Sequence, residues 1–492
     1  MAPCSAMTSS AASRMRSRRR GSLGPRVLPV IAVVSAFYFP YPSVYICTYP
    51  GGVGLSPTRA FFRIPWSFPL IDRAVRRRRQ ALYLFFFLPG ICMSSWVTRT
   101  PDVRDQLDVS TGQMGMVLFG LSVGSMGGIL CSGRLVSRFG TRPVIGIGTS
   151  LIIASMVVIG GGSSVQSAPM VAAGLCLFGV GMGACEVAVN VDGADVERLT
   201  DTTVMPTLHG CFSLATVVGG LAGMAATAAD FPVIWHLVLV TAVATGILVY
   251  ALRAIPAGTG TSDTSRAPGS AKDAGPRVWK DRKLLLIGGI VLAMALAEGA
   301  ANDWLPLLMV DGHGLDAALG SLVFVGFAAA MTLGRFSGTF FLNRFGRATV
   351  LRASAISGAV GLVLVIFSDS AVVAAAAVLF WGLGASLGFP VALSAAGDSG
   401  PDQTARVSLV ATIGYVAFLV GPPSLGFLGD HYGLRSAMVV VLVFVTAAIA
   451  LAPAAGSRSP AVAHGGSPQD IPPGAPDALR SPAPEAAPDK QG

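Results

Sequence analysis

The sequence predicts an all-α integral membrane protein with twelve transmembrane helices in two six-helix halves. Three observations carry this prediction. Of 492 residues, 52% are hydrophobic and only 12% charged, whereas a soluble domain needs about 25% charged residues to cover its surface. Apolar runs long enough to cross a bilayer, roughly 20 residues, recur twelve times. A single long loop, residues 253–283, rich in Gly, Ser and Pro and carrying seven Lys or Arg, divides these runs six and six.

In order, the runs fall at residues 81–99, 112–136, 142–162, 168–190, 206–228, 232–252, 284–304, 317–341, 348–368, 371–394, 406–428 and 434–453. With the N-terminus inside, the cytoplasmic side holds Arg134, Arg138, Arg142, Arg198, the central-loop cations, Arg335, Arg344, Arg347, Arg352 and Arg406. Only Arg99, Arg104 and Arg435 then lie outside. Basic residues concentrate on the cytoplasmic side of membrane proteins. A multi-pass protein of the inner (plasma) membrane with both termini cytoplasmic is therefore expected. The net charge of +10 reflects this topology and gives no reason to expect nucleic-acid binding.

The halves echo one another, as in a duplicated transporter. Ser132-Gly133-Arg134-Leu135-Val136-Ser137-Arg138-Phe139-Gly140 after the second run matches Ser337-Gly338-Thr339-Phe340-Phe341-Leu342-Asn343-Arg344-Phe345-Gly346 after the eighth. Leu177-Phe178-Gly179-Val180-Gly181 matches Leu379-Phe380-Trp381-Gly382-Leu383-Gly384, and Asp230 matches Asp430. The halves are expected over residues 80–252 and 284–453. Residues 454–492, rich in Pro and Ala, read as a disordered cytoplasmic tail. Residues 1–79 read as a basic extension, either disordered or upstream of the true start, since initiation at Val75 would leave Arg76 to Arg79 directly before the first helix.

The loop from Gly133 to Arg142 resembles the signature between helices two and three of the major facilitator superfamily, where a Gly, an acidic residue, an Arg and a Gly recur at this spacing. The resemblance implies the major facilitator fold and a cytoplasmic gate motif made of Gly133, Ser137, Arg138, Gly140 and Arg142, with Asn343, Arg344 and Gly346 in the second copy. Ser137 departs from the pattern, standing where an Asp is usual, so the lock between halves is weaker or comes from another residue. Glu186-Val-Ala-Val-Asn190, His209-Gly210-Cys-Phe212-Ser213 and Glu298-Gly-Ala-Ala-Asn302-Asp303-Trp304 resemble the sugar-permease-like branch that includes the fucose-proton symporter. The implied partners are a small-molecule solute and the lipid bilayer, with a monomer sufficient.

Only Glu186 and Glu298 are read as carboxylates well inside apolar runs, where an ionisable group faces a bundle interior or a water-filled cavity. Either could couple proton entry to solute movement; the plainer alternative is a hydrogen bond between helices. His209 would enter the fifth helix near the level of Glu186, as a proton relay or as a packing and capping group. Asn190, one helical turn from Glu186, suits a hydroxylated solute or, equally, a hydrogen bond between helices. Asn302 and Asp303 are expected near the outer end of the seventh helix as cavity residues, and Trp304 there as a substrate platform or an interface anchor. Trp96 and Trp381 lie deeper, where an aromatic face could stack on a sugar or simply pack the core.

Glycines at 120, 124, 179, 181, 183, 219, 220, 223, 382 and 384 let helix backbones approach, either for sliding of the halves or for plain packing. Gly421-Pro422-Pro423 should kink the eleventh helix, whose lost amide donors must be replaced by neighbours or water. The seven cysteines form no C-x-x-C pair and read as small buried hydrophobes. The sequence holds no G-x-x-x-x-G-K-[ST], H-E-x-x-H, metal-spaced Cys/His cluster or nucleophile elbow. An enzyme is therefore not expected, and neither a metal nor a cofactor is called for; the proton gradient supplies the energy. The function expected is secondary active transport of a small, sugar-like solute by alternating access. Proton-antiport efflux of drugs or metabolites and a non-transporting sensor on the same scaffold are the alternatives.

Overall fold

The computed structural model describes residues 73–200, 204–261, 278–400 and 402–456. The expected tail, most of the extension and the proposed start site lie outside the described residues. Twelve long helices account for the described chain: α1 (Arg73–Val97), α2 (Thr111–Phe139), α3 (Thr141–Ser164), α4 (Ala168–Thr200), α5 (Met205–Ala228), α6 (Val233–Ala251), α7 (Arg282–His313), α8 (Ala317–Phe345), α9 (Arg347–Phe367), α10 (Ala371–Gly397), α11 (Gln403–Tyr432) and α12 (Leu434–Leu451). All twelve are long and apolar enough to span a bilayer. A short helix, Thr100–Leu107, which hydropathy did not predict, links α1 to α2. Successive helices run up and down. The start of α1, the central loop and the end of α12 therefore share one end of the bundle, called here the basic end, opposite the far end.

Local signals fix the helix starts. Ser110 and Gln113 form a reciprocal capping box on α2, and Asp281, Asp316 and Ser370 accept backbone N–H groups at the starts of α7, α8 and α10. The turns α2–α3 and α8–α9 each consist of one glycine, Gly140 at φ +82° and Gly346 at φ +76°. A side chain would strain this backbone, and the matching geometry makes the internal repeat visible.

The first helix begins at Arg73, so the basic stretch expected as the end of an extension belongs to α1. Arg78 is buried in it and reaches Asp192 of α4 through two hydrogen bonds of 2.9 and 2.8 Å, and Asp195 at 2.8 Å. Thr141 donates to the same Asp192 carboxylate at 2.9 Å. These partners are what permit a guanidinium to be buried there.

Within the first half α4 packs on α2 and α3, and α1 on α5; within the second, α10 packs on α8 and α9, and α7 on α11 and α12. The halves meet through α2 with α11 and α5 with α8. In the six-helix repeat α2 corresponds to α8 and α5 to α11, so the two contacts are related by exchange of the halves. The glycine string divides: Gly220 of α5 lies against Val325 of α8, whereas a Cβ at Gly120 or Gly124 would lie 2.4 or 2.0 Å from the Ala172 or Cys176 carbonyl of α4. Those glycines cement one half and form no sliding face. The close crossing between halves is Gly115 of α2 against Gly426 of α11.

Helix α11 runs through Pro422 and Pro423. Pro422 has no N–H for the carbonyl four residues earlier, that of Phe418. Ser122 of α2 donates to that carbonyl at 2.6 Å, so the replacement donor comes from the opposite half. Cys92, Cys185 and Cys211 are buried free thiols, but Cys131 is exposed and Cys176 half-buried, which corrects the uniform buried expectation.

Candidate functional site

Three helices bring the central charges together. Glu186 lies midway along α4, and Glu298 midway along α7. Arg335 projects from α8, donating from one nitrogen to Glu298 Oε1 at 2.9 Å and from another to Ser213 Oγ of α5 at 3.1 Å. Glu298 and Arg335 belong to the second half and Ser213 to the first, so the guanidinium bridges the two. Glu186 interacts electrostatically with Glu298 and Arg335 across the divide, and Tyr415 of α11 also feels its charge. The Glu186 side chain is exposed. The charges that act on it sit on the opposite half, so Glu186 belongs to the region where the halves meet.

His209, in the first turns of α5, is exposed toward the same region, where the Arg335 charge reaches it. Its ring stands edge-on to Phe86, with centroids 4.9 Å apart. Asn190 is half-buried one turn from Glu186, and its buried Oδ1 accepts no hydrogen bond. These residues, with Glu298, are the sequence candidates that the fold gathers.

Other candidates are placed differently. Trp96 is 2% exposed and Trp381 fully buried, so both are core residues and not cavity walls. The Trp381 indole N–H donates to the Ala297 carbonyl at 3.1 Å, and its ring meets Phe327 edge-on. Helix α7 continues to His313, which puts Asn302 and Asp303 in its interior, partly buried, and makes Asp303 a further carboxylate inside a span. Trp304 is fully buried with its ring against Gly426, and is no interface anchor.

The gate-motif residues line the basic end. Ser137 donates to the Arg134 carbonyl of its own helix at 3.0 Å, and Arg138 lies over the Phe139 ring. Arg142, Asn343 and Arg344 are exposed, Gly133 has open space around it, and Gly140 and Gly346 make the turns. Among the described residues no side chain of this set bonds to the opposite half.

Polar contacts between halves lie instead at the far end and in the interior. Arg104 pairs with Asp311, Ser321 donates to the buried Thr98 carbonyl at 2.8 Å, and Ser122 and Arg335 act as described. A recess of about 510 Å³ at the far end, lined by Asp311, Tyr432 and Arg435 among others, includes none of the candidate residues.

Arg335 is the residue that the sequence reading missed, having grouped it with the cytoplasmic loops. Its position inside the eighth apolar run was the available signal, because a cation in a span is as costly as a carboxylate. Ser213 and Tyr415 carried no comparable signal.

Comparisons with known proteins agree with this architecture. The family model described as Major Facilitator Superfamily matches residues 22–196, 202–408 and 305–481. An uncharacterized transporter of Sinorhizobium fredii is 30% identical over 369 residues, covering 75% of this chain and 95% of that protein. Among solved structures, a mutant of the nucleoside transporter NupG is similar with a TM-score of 0.62 at 15% identity, covering 77% of this chain and 98% of the other. The fucose:proton symporter FucP of E. coli is similar with a TM-score of 0.56 at 16% identity, covering 78% and 100%.

Proposed function

The chain belongs to the major facilitator superfamily and is a multi-pass membrane transporter of a small solute, not an enzyme; on that premise we propose that it couples solute movement to protons through Glu186. The observation that carries this reading is an exposed carboxylate midway along a membrane-spanning helix, facing the opposite half while the nearby guanidinium of Arg335 is engaged by Glu298. Such a group exchanges a proton with water in the chamber, and protonation removes a charge that would otherwise resist being enclosed when the halves close over it.

The polar lining supports a hydroxylated, sugar-like solute. Asn190 offers donors and an acceptor, and Tyr415 a hydroxyl. The likeness in fold to a fucose:proton symporter is compatible with this class. The positive-inside distribution makes the basic end cytoplasmic, with the protein in the plasma membrane and both termini inside. The far-end contacts then describe a state closed to the outside.

The test is reconstitution into liposomes containing a pH-sensitive dye, with a panel of sugars, sugar acids and lipophilic cations, and Glu186→Gln in parallel. Proton influx on addition of a sugar, lost in the variant, is expected. Unchanged rate and pH dependence in Glu186→Gln would defeat the assignment, and proton movement only against lipophilic cations would replace it with antiport.

A further inference from the structure

Resting on the reading of Glu186 as the proton site, we propose that Glu298 is not a second proton carrier but the counter-ion that keeps Arg335 off Glu186, with Ser213 completing the restraint. The argument is geometric. Arg335 has two of its nitrogens fixed by groups on two other helices, Glu298 of α7 at 2.9 Å and Ser213 of α5 at 3.1 Å. A planar guanidinium held at two points has its orientation set. The charged and titratable groups that interact electrostatically with Glu186 are Glu298 on α7, Arg335 on α8, Tyr415 on α11 and its neighbour Cys185 on α4, and His209 on α5 interacts with Arg335. Glu298 and Arg335 are bonded to each other, and Glu186 is left as the carboxylate of this set with no cation bonded to it. One proton neutralises it.

Ser213 and Arg335 stand on opposite halves, so this part of the restraint exists only while α5 and α8 keep their present register. When the halves rock, Arg335 loses Ser213 and is held by Glu298 alone, from which it can share a bond with Glu186. A guanidinium on a carboxylate favours its charged form, and the proton leaves Glu186 for chamber water. Proton release is thereby tied to one of the two states. Glu298 and Ser213 act through Arg335 and are positioning residues.

The test needs no solute. The full-length protein in lipid nanodiscs is titrated while the infrared carbonyl band of protonated carboxylic acids is recorded. Wild type should show a titrating band that Glu186→Gln lacks. In Glu298→Gln the midpoint should move to lower pH by about one unit or more, because a like charge is removed and the freed Arg335 turns to Glu186; Ser213→Ala, which changes no charge, isolates the second cause. In Glu298→Gln/Arg335→Gln it should return toward wild type, and Ser213→Ala should shift it in the same direction as Glu298→Gln by less.

Loss of the band in Glu298→Gln with retention in Glu186→Gln would overturn the proposal by making Glu298 the carrier. A wild-type midpoint in Glu298→Gln, or no return in the double variant, would overturn it as well. Should Glu298→Gln fail to purify as a monodisperse protein, an unshifted Ser213→Ala is sufficient to reject the idea. These shifts without proton-coupled uptake would defeat the transport reading alone, and coupled uptake without the shifts would defeat only this one.

Discussion

At the basic end Arg78 is held by Asp192 and Asp195 inside the first half, and Arg406 by Asp281 inside the second. At the far end Arg104 pairs with Asp311, Ser321 donates to Thr98, and Gly115 meets Gly426, each contact passing from one half to the other. The difference separates two tasks that the proposed alternating access requires. Buried charge pairs within a half make it a rigid body. Ties between halves are single hydrogen bonds, worth about 0.5–1.5 kcal/mol, a partly exposed ion pair, and shape. Such ties close one end and can be undone again.

The comparison breaks first at Arg78. Its side chain is 7% exposed and that of Asp192 0%, so Arg78→Ala leaves a buried carboxylate without its cation, at a cost of about 3–5 kcal/mol. Thermal unfolding of the purified variant should show a large loss of stability. Closure of the far end should be unaffected, so labelling of a Thr111→Cys probe by an impermeant maleimide should proceed as in the parent. Changed labelling with unchanged stability would show that the pair governs the conformational equilibrium and not the integrity of a half.

The converse prediction concerns Gly115. A Cβ there would stand 2.9 Å from the Pro422 carbonyl oxygen and 3.1 Å from the Gly426 Cα, both backbone atoms that cannot turn aside. Gly115→Leu should therefore oppose far-end closure by about 1–3 kcal/mol, the usual range for overpacking. The Thr111→Cys probe should label several-fold faster, while the thermal stability of each half is retained. Loss of stability without faster labelling would mean that this crossing supports the fold and not the closed state.

How much of this was legible in the sequence depends on whether the signal is local. The spans, their up-and-down order and the paired turns at Gly140 and Gly346 follow from apolar run length and from single glycines, and the structure has them. Glu186 and Glu298 stood out because a carboxylate in an apolar run is conspicuous on its own. The pairing of Arg78 with Asp192 joins residues 114 positions apart, and no local pattern encodes it. Trp96 and Trp381 show the same limit: an aromatic residue in a helix does not reveal which face meets a cavity and which meets its neighbours. Trp304 was misplaced because the apolar pattern ended α7 too early, and the helix carries on to His313.

The smallest expected effect is at Asp281, which lies just outside the span of α7. Its carboxylate accepts from the Lys283 and Leu284 backbone N–H groups and pairs with Arg406. The Arg406 hydrogen bond, aided by those N–H groups, holds it below the usual carboxylate range. A carboxyl depressed in the folded state contributes fully above its unfolded pKa of about 3.9 and loses that contribution as pH falls through the lower folded value. Asp281→Asn should therefore lower thermal stability modestly at neutral pH, and its stability curve should converge on that of wild type as the medium is made more acidic than about pH 4. Both partners lie in the second half, so far-end labelling should not respond to the substitution at any pH. An asparagine can provide the same helix cap, so a separation between the two stability curves that persists unchanged into acid would remove the Arg406 ion pair as the cause.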